Sequence, residues 1–278
     1  MPAMTAASVE PRPSFLRRLS WLGVLVVGVA AYLLVLRTLV ATENLNFFPS
    51  LILLGSIVVP AAVLVYAASS GRQVVVPTSL IALVAVLGGV IGTVAAGTLE
   101  YDTLRRLGAL PMIGVGLIEE SAKLIVPVVV LIFVRNRGPQ AGVIIGVASG
   151  MGFATLETMG YGFSALLSSG SIVDVEQTLL LRALLSPAGH VAWTGLTAAA
   201  LWRVPTAKRK GRAVAVVLGT FAGTVLLHAA WDGFNSLVVH LVVGIISFGA
   251  LLLVIRRSHH EPGSRYHRGS ARTARQHS

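Results

Sequence analysis

Apolar residues fall along this chain in long runs broken by short polar punctuation, not in the strict alternation or narrow helical stripe of a water-soluble fold. Each run is about 20 residues long, the length at which a helix rising 1.5 Å per residue crosses a hydrocarbon core of about 30 Å. About eight spans are predicted on this pattern, at 20–41, 48–69, 77–98, 112–134, 140–167, 179–202, 213–235 and 237–255. The breaks are the polar stretch 42–47, Gly71-Arg72, the Arg135–Pro139 loop and the basic run 202–212. The charged segment 99–110 is expected at the membrane interface. The expected fold is therefore all-α, a polytopic transmembrane helix bundle. A short cytoplasmic segment (1–19) precedes a membrane domain (20–255), and a disordered basic tail (256–278) follows it.

Composition strengthens this picture. The chain is 55% hydrophobic and 12% charged, with a mean hydropathy of +0.81, whereas a soluble domain carries about 25% charged residues. It contains no cysteine, which excludes disulfides, thiolate metal ligands and a cysteine nucleophile. The Trp21–Val40 run is too long for the apolar core of a signal peptide, and is expected to stay as the first span. A net charge of +11 would suit nucleic acid, but its distribution argues for the bilayer instead. With both termini cytoplasmic, most Lys and Arg fall in cytoplasmic segments, while Glu43, Glu100, Asp102, Asp174 and Glu176 fall outside. The expected setting is multi-pass in the cell membrane, with the lipid bilayer as partner and no nucleic acid.

Against this background four acids stand out: Glu119 and Glu120 in GLIEESAKLIVP, Glu157 in FATLETMGYGF and Asp232 in LLHAAWDGFNS. His190 and His228 lie in similar surroundings. Ionisable groups at bilayer depth are costly and mark functional sites by default. Lys123 follows Glu119 by four residues and Glu120 by three, so both carboxylates can reach it on a helix. His228 and Asp232 form an i,i+4 pair in which the acid can orient the ring. Pro187-Ala-Gly189, just before His190, is placed to open its helix. Glycines 142, 146, 150 and 152 before Glu157 allow a close helix approach, so this acid is expected to face protein or a water-filled cavity. The predicted topology brings all of these groups to within about 5–17 Å of the outer boundary, on four helices. Each has an alternative structural role: the glutamates at an interfacial helix start, Glu157 as a protonated interhelical hydrogen bond, and the histidines in packing.

At these residues the chain resembles the PrsW family of bacterial intramembrane proteases, itself similar to the CAAX-prenyl-protease superfamily. The residues carrying the resemblance are Glu119-Glu120-Ser-Ala-Lys123, Phe153-Ala-Thr-Leu-Glu157, His190-Val-Ala-Trp-Thr and His228-Ala-Ala-Trp-Asp232, in that order within a protease-like core at 110–235. The resemblance implies an endopeptidase that cleaves a single-span membrane protein, such as an anti-sigma factor, near the extracytoplasmic side.

The expected catalytic set is Glu119, Glu120, Glu157, His190, His228 and Asp232, with Lys123 in support. One glutamate of the pair, preferably Glu119, activates water. His190 or His228 polarises the carbonyl, and Asp232 orients His228. Two cofactor states stand side by side: no metal, or a divalent ion such as Zn2+ held by His190, His228 and Glu157 with an open water position. The rival functions are a proton-coupled transporter or channel and a non-catalytic membrane scaffold.

Overall fold

The computed structural model describes residues 15–70, 76–134 and 138–260. The expectations for the segment before residue 15, the Gly71-Arg72 break, residues 135–137 and the tail from 261 lie outside the described residues. Nine α-helices are described: α1 (Phe15–Thr42), α2 (Phe48–Ser69), α3 (Thr78–Leu107), α4 (Met112–Phe133), α5 (Pro139–Ser169), α6 (Ile172–Leu185), α7 (His190–Arg203), α8 (Lys210–Gly233) and α9 (Leu237–His260). No strand occurs among the described residues. Among the described residues, six helical segments are long and apolar enough to cross a membrane: α1, α2 with its preceding turn, α3, α5, α8 and α9. The chain is a polytopic helical bundle.

Three boundaries differ from the sequence expectation, each for a local reason. Helix α3 does not stop at residue 98; it carries the charged 99–107 segment as further turns and ends where Gly108 adopts a left-handed φ of 71°. The run 179–202 is not one helix. Pro187, which has no N–H to donate, sits in a 3-10 turn, Ser186–Ala188, that ends α6 and leaves His190 to begin α7. Both α6 and α7 have 14 residues, so each is about 21 Å long and shorter than the hydrocarbon core. At the far end α9 runs past Ile255 to His260, so the tail expected from 256 begins as helix.

Helix α5 is the axis of the bundle. Its most apolar stretch is 83% buried, against 0% for that of α1, whose Val26, Val27 and Leu34 project outward as a lipid-facing helix requires. Small residues make this central position possible, since helices in lipid associate by packing and close backbone approach. Gly142, Gly146 and Gly150 form a stripe at i,i+4 spacing against α7. A Cβ at Gly146 would lie 2.5 Å from the Thr194 carbonyl oxygen, and one at Gly150 would lie 2.5 Å from that of His190. On the opposite face Gly152 meets the Ala85 carbonyl of α3 so closely that no side chain fits. Helix α8 approaches α4 in the same way, with a Cβ at Gly116 falling 3.0 Å from the Val225 carbonyl oxygen and 3.4 Å from His228 Cβ.

These contacts fix where His190 and His228 stand. Replacing Gly150 by leucine is therefore expected to lower the thermal unfolding midpoint in detergent, at a cost of about 1–3 kcal/mol typical of overpacking. The same change at Gly160, where an added Cβ meets nothing within 4 Å, should leave the midpoint unaltered. Equal midpoints for the two variants would contradict the α5–α7 contact.

Candidate active site

Helix α4 supplies the centre of the site. Glu119, Glu120 and Lys123 share one face, and the Lys123 Nζ donates to Glu119 Oε2 at 2.9 Å and to Glu120 Oε1 at 2.8 Å. The lysine is fully buried and its ammonium also lies over the Phe153 ring, 4.2 Å from the centroid. Four residues further on, Pro127 has no N–H for the Lys123 carbonyl. Ser149 of α5 fills that gap, its hydroxyl donating to the Lys123 carbonyl oxygen at 2.8 Å. The proline defect in α4 is thereby converted into a link to α5.

Helices α7 and α8 bring the two histidines to this centre. His190 Nδ1 lies 2.6 Å from Lys123 Nζ, and its Nε2 lies 2.9 Å from Glu157 Oε2. An ammonium can only donate, so Nδ1 accepts and the ring carries its proton on Nε2, the nitrogen on the Glu157 side. His228 has carboxylates on both nitrogens: Nδ1 is 2.9 Å from Glu120 Oε1, and Nε2 is 2.9 Å from Asp232 Oδ2. Trp193 holds both rings. It stacks on His228 at 4.8 Å between centroids, meets His190 edge-on at 5.4 Å, and donates its Nε1–H to Ser247 Oγ of α9 at 2.9 Å.

The six residues singled out as catalytic, with Lys123, thus form one contiguous network. An eighth residue joins it that the sequence did not place in the set. Arg182, on α6, pairs through Nη2 with Glu157 Oε2 at 2.7 Å, and its guanidinium lies 3.8 Å from the Tyr161 ring centroid. Glu157 therefore has two partners, where the sequence offered only His190. The spacing between Glu157 and Arg182 crosses a helix turn and a loop, so no i,i+4 rule could reveal the pair. Glu100 belongs to α3, and its Oε1 is buried with no hydrogen-bond partner.

A cleft of about 390 Å³ opens over part of this network, lined by His190, Glu157, Arg182, Asp232, Trp193 and Trp231 among others. The break between α6 and α7 contributes Ser186 and Gly189 to its wall, and the α8–α9 connection contributes Phe234 and Asn235. His240 also lines the cleft and sits 2.9 Å from the Trp231 carbonyl oxygen.

Side-chain exposure divides the cluster. Glu120 and His228 retain only 2% and 1%, whereas Glu119 retains 10%, His190 12%, Glu157 19% and Asp232 36%. The second group is accessible and the first enclosed, and of the second His190, Glu157 and Asp232 line the cleft. Among the described residues, Glu119, His190 and His228 also form a group with metal-ligand spacing. Their ligand atoms lie within 4.8 Å of one another, with Glu119 Oε2 at 3.9 Å from His190 Nδ1 and 3.6 Å from His228 Nε2. The carboxylate in this group is Glu119, not the Glu157 expected from sequence, which sits on the opposite nitrogen of His190.

Burial predicts unequal stability effects. Replacing Glu120 by alanine strips a fully buried ammonium of one counter-ion and should cost about 3–5 kcal/mol in unfolding. Asp232→Asn, at a partly exposed carboxylate, should cost less than about 1 kcal/mol. Thermal denaturation of the two variants in detergent measures the difference, and a smaller loss at Glu120 would contradict the arrangement.

A family model described as PrsW family intramembrane metalloprotease matches residues 59–255. No curated protein and no solved structure matches the chain.

Proposed function

The chain belongs to the PrsW family of intramembrane metalloproteases, and from that premise we propose that Glu119 activates the water that hydrolyses a peptide bond held in the cleft over His190. Family membership makes the chain a peptidase and a multi-pass membrane protein; the roles of its residues are our reading. The observation that carries the choice of Glu119 is accessibility. Its side chain keeps 10% exposure, while Glu120 keeps 2% and is engaged by both Lys123 and His228. A general base must come within hydrogen-bond reach of its water, which Glu120 is too enclosed to do.

In this reading Glu119 takes a proton from water as the water oxygen bonds to the substrate carbonyl carbon. The developing oxyanion meets the His190 Nε2–H and the Arg182 guanidinium, whose nitrogens lie 2.9 and 2.7 Å from Glu157 Oε2. The proton on Glu119 then passes to the leaving nitrogen, the C–N bond breaks, and a carboxylic acid and an amine result. His228 is 1% exposed and acts by holding Glu120 and Asp232 in place, so His190 is the better carbonyl partner of the two. Lys123 keeps the glutamate pair compatible with burial by lying between the two carboxylates.

The family's description implies a metal. Glu119, His190 and His228 are suitable donors by type. However, an ion bonded at about 2.0–2.2 Å to both Glu119 Oε2 and His190 Nδ1 falls within about 3 Å of Lys123 Nζ, wherever it lies around the line joining them. The atoms concerned are 3.9 Å apart, with the ammonium 2.9 Å from one and 2.6 Å from the other. A divalent ion does not fit beside that ammonium, so the mechanism uses no metal step.

The substrate is proposed to be a single-span membrane protein, such as an anti-sigma factor, cut near the extracytoplasmic side. The enzyme is proposed to cross the cell membrane eight times with both termini cytoplasmic. Positive-inside charge bias supports this orientation, and the six long apolar helices are compatible with it.

Cleavage of a single-span reporter by purified enzyme in liposomes is the test. Glu119→Gln should lower the rate at least about 100-fold, the usual scale of a lost general base, with unfolding behaviour retained. Glu119→Gln enzyme that cleaves at the wild-type rate would eliminate the mechanism.

A further inference from the structure

The pocket that holds the Lys123 ammonium has the donor types and spacing of a metal site but a different occupant. Its ligand-type atoms come from Glu119, His190 and His228, lie within 4.8 Å of one another, and are buried or half-buried. Two of their separations, 3.6 and 3.9 Å, are close to the about 3.4 Å edge of a tetrahedron with 2.1 Å bonds. Outer carboxylates are already present as well. Glu157 faces His190 through Nε2 and Glu120 faces His228 through Nδ1, which leaves His190 Nδ1 turned toward Glu119, while His228 Nε2 lies between Glu119 Oε2 at 3.6 Å and Asp232 Oδ2 at 2.9 Å. Metal-binding histidines have this outer support as a rule, because the second hydrogen bond fixes which nitrogen is free to ligate.

What excludes an ion is Lys123. Its Nζ touches two of the donors, Glu119 Oε2 at 2.9 Å and His190 Nδ1 at 2.6 Å, and it is sealed from solvent beneath Phe153. Any ion bonded to both donors would have to share their space with a positive charge on a fully buried side chain.

We propose that Lys123 is a tethered cation filling a latent divalent-metal site, so that lysine and metal occupy the Glu119–His190–His228 group in alternation and never together. The lysine supplies one positive charge in a fixed position without needing an ion from solution. An uncharged residue of similar length at 123 would leave the donors and their outer carboxylates in place but without a cation, and open the site to a soft divalent ion such as Co2+ or Zn2+. The proposal rests on geometry alone, so it can fail while the water-activating role of Glu119 stands, and the reverse.

The test is Co2+ binding to the full-length purified chain, read by the visible absorption of four-coordinate cobalt and by metal content after gel filtration. His190→Ala serves as the background, because His259, His260, His267 and His277 lie near the C-terminus and can bind metal on their own. Above that background, wild type is expected to bind no Co2+, and Lys123→Met about one per chain. Adding Glu119→Gln or His190→Ala to Lys123→Met should abolish the band. Zn2+ should raise the unfolding temperature of Lys123→Met and leave that of wild type unchanged. Wild-type protein that binds one Co2+ in a His190-dependent manner would overturn the proposal, and this arm is decisive even if Lys123→Met does not fold. Folded Lys123→Met, or the more conservative Lys123→Gln, that binds no metal above background would overturn it equally.

Discussion

A single ammonium group organises this molecule. Lys123 is buried completely in a bundle that itself lies in a low-dielectric medium, where an uncompensated charge would cost many kcal/mol. Its cost is offset only because Glu119 and Glu120 reach it from its own helix, His190 from α7 and the Phe153 ring from α5. Each partner is constrained in turn by another charge. Glu157 holds His190, Arg182 holds Glu157, His228 holds Glu120, and Asp232 holds His228. The network therefore ties five helices, and no member can move without exposing a neighbour's unmatched charge.

The backbone is arranged to make that network reachable. A glycine stripe lets α7 approach α5 until His190 stands over Phe153, and Gly116 lets α8 bring His228 against α4. The break at Pro187 starts a helix within the bundle at His190 and forms one wall of the cleft, which a continuous helix could not do. Irregular backbone at membrane depth is tolerated where it lines a polar cavity, and Ser186–Gly189 does. The same packing sorts the acids by access. Glu157 and Asp232 line the cleft, Glu119 keeps some exposure, and Glu120 is sealed, which sets chemically similar groups apart.

Much of this was legible in the sequence because the membrane makes polar residues conspicuous. The Glu-Glu-x-x-Lys and His-x-x-x-Asp spacings predicted contacts within one helix, and both occur. Pro187 and Gly189 marked a place where a helix could open, and it does open there. Contacts between helices were harder to read, because they depend on rotation and depth that a hydropathy pattern does not encode. Arg182 falls in the stretch 179–202 that the hydropathy pattern drew as one span, and only the fold of short α6 against α5 brings it to Glu157. Ser149 carried no signal at all; its role follows from the carbonyl that Pro127 leaves free one helix away. The group with metal-ligand spacing differs from the one expected for the same reason. His190 presents opposite nitrogens to Glu119 and Glu157, and sequence cannot say which nitrogen faces which acid.

The most direct test of Lys123 as the organising charge is a double-mutant cycle with Glu120, measured by reversible unfolding in detergent. Lys123→Met and Glu120→Gln should each destabilise strongly alone, since each leaves a buried charge without its partner. The double variant should recover about 1–3 kcal/mol relative to the sum of the two. Strictly additive losses would mean that the two residues do not sense each other, and would contradict the account.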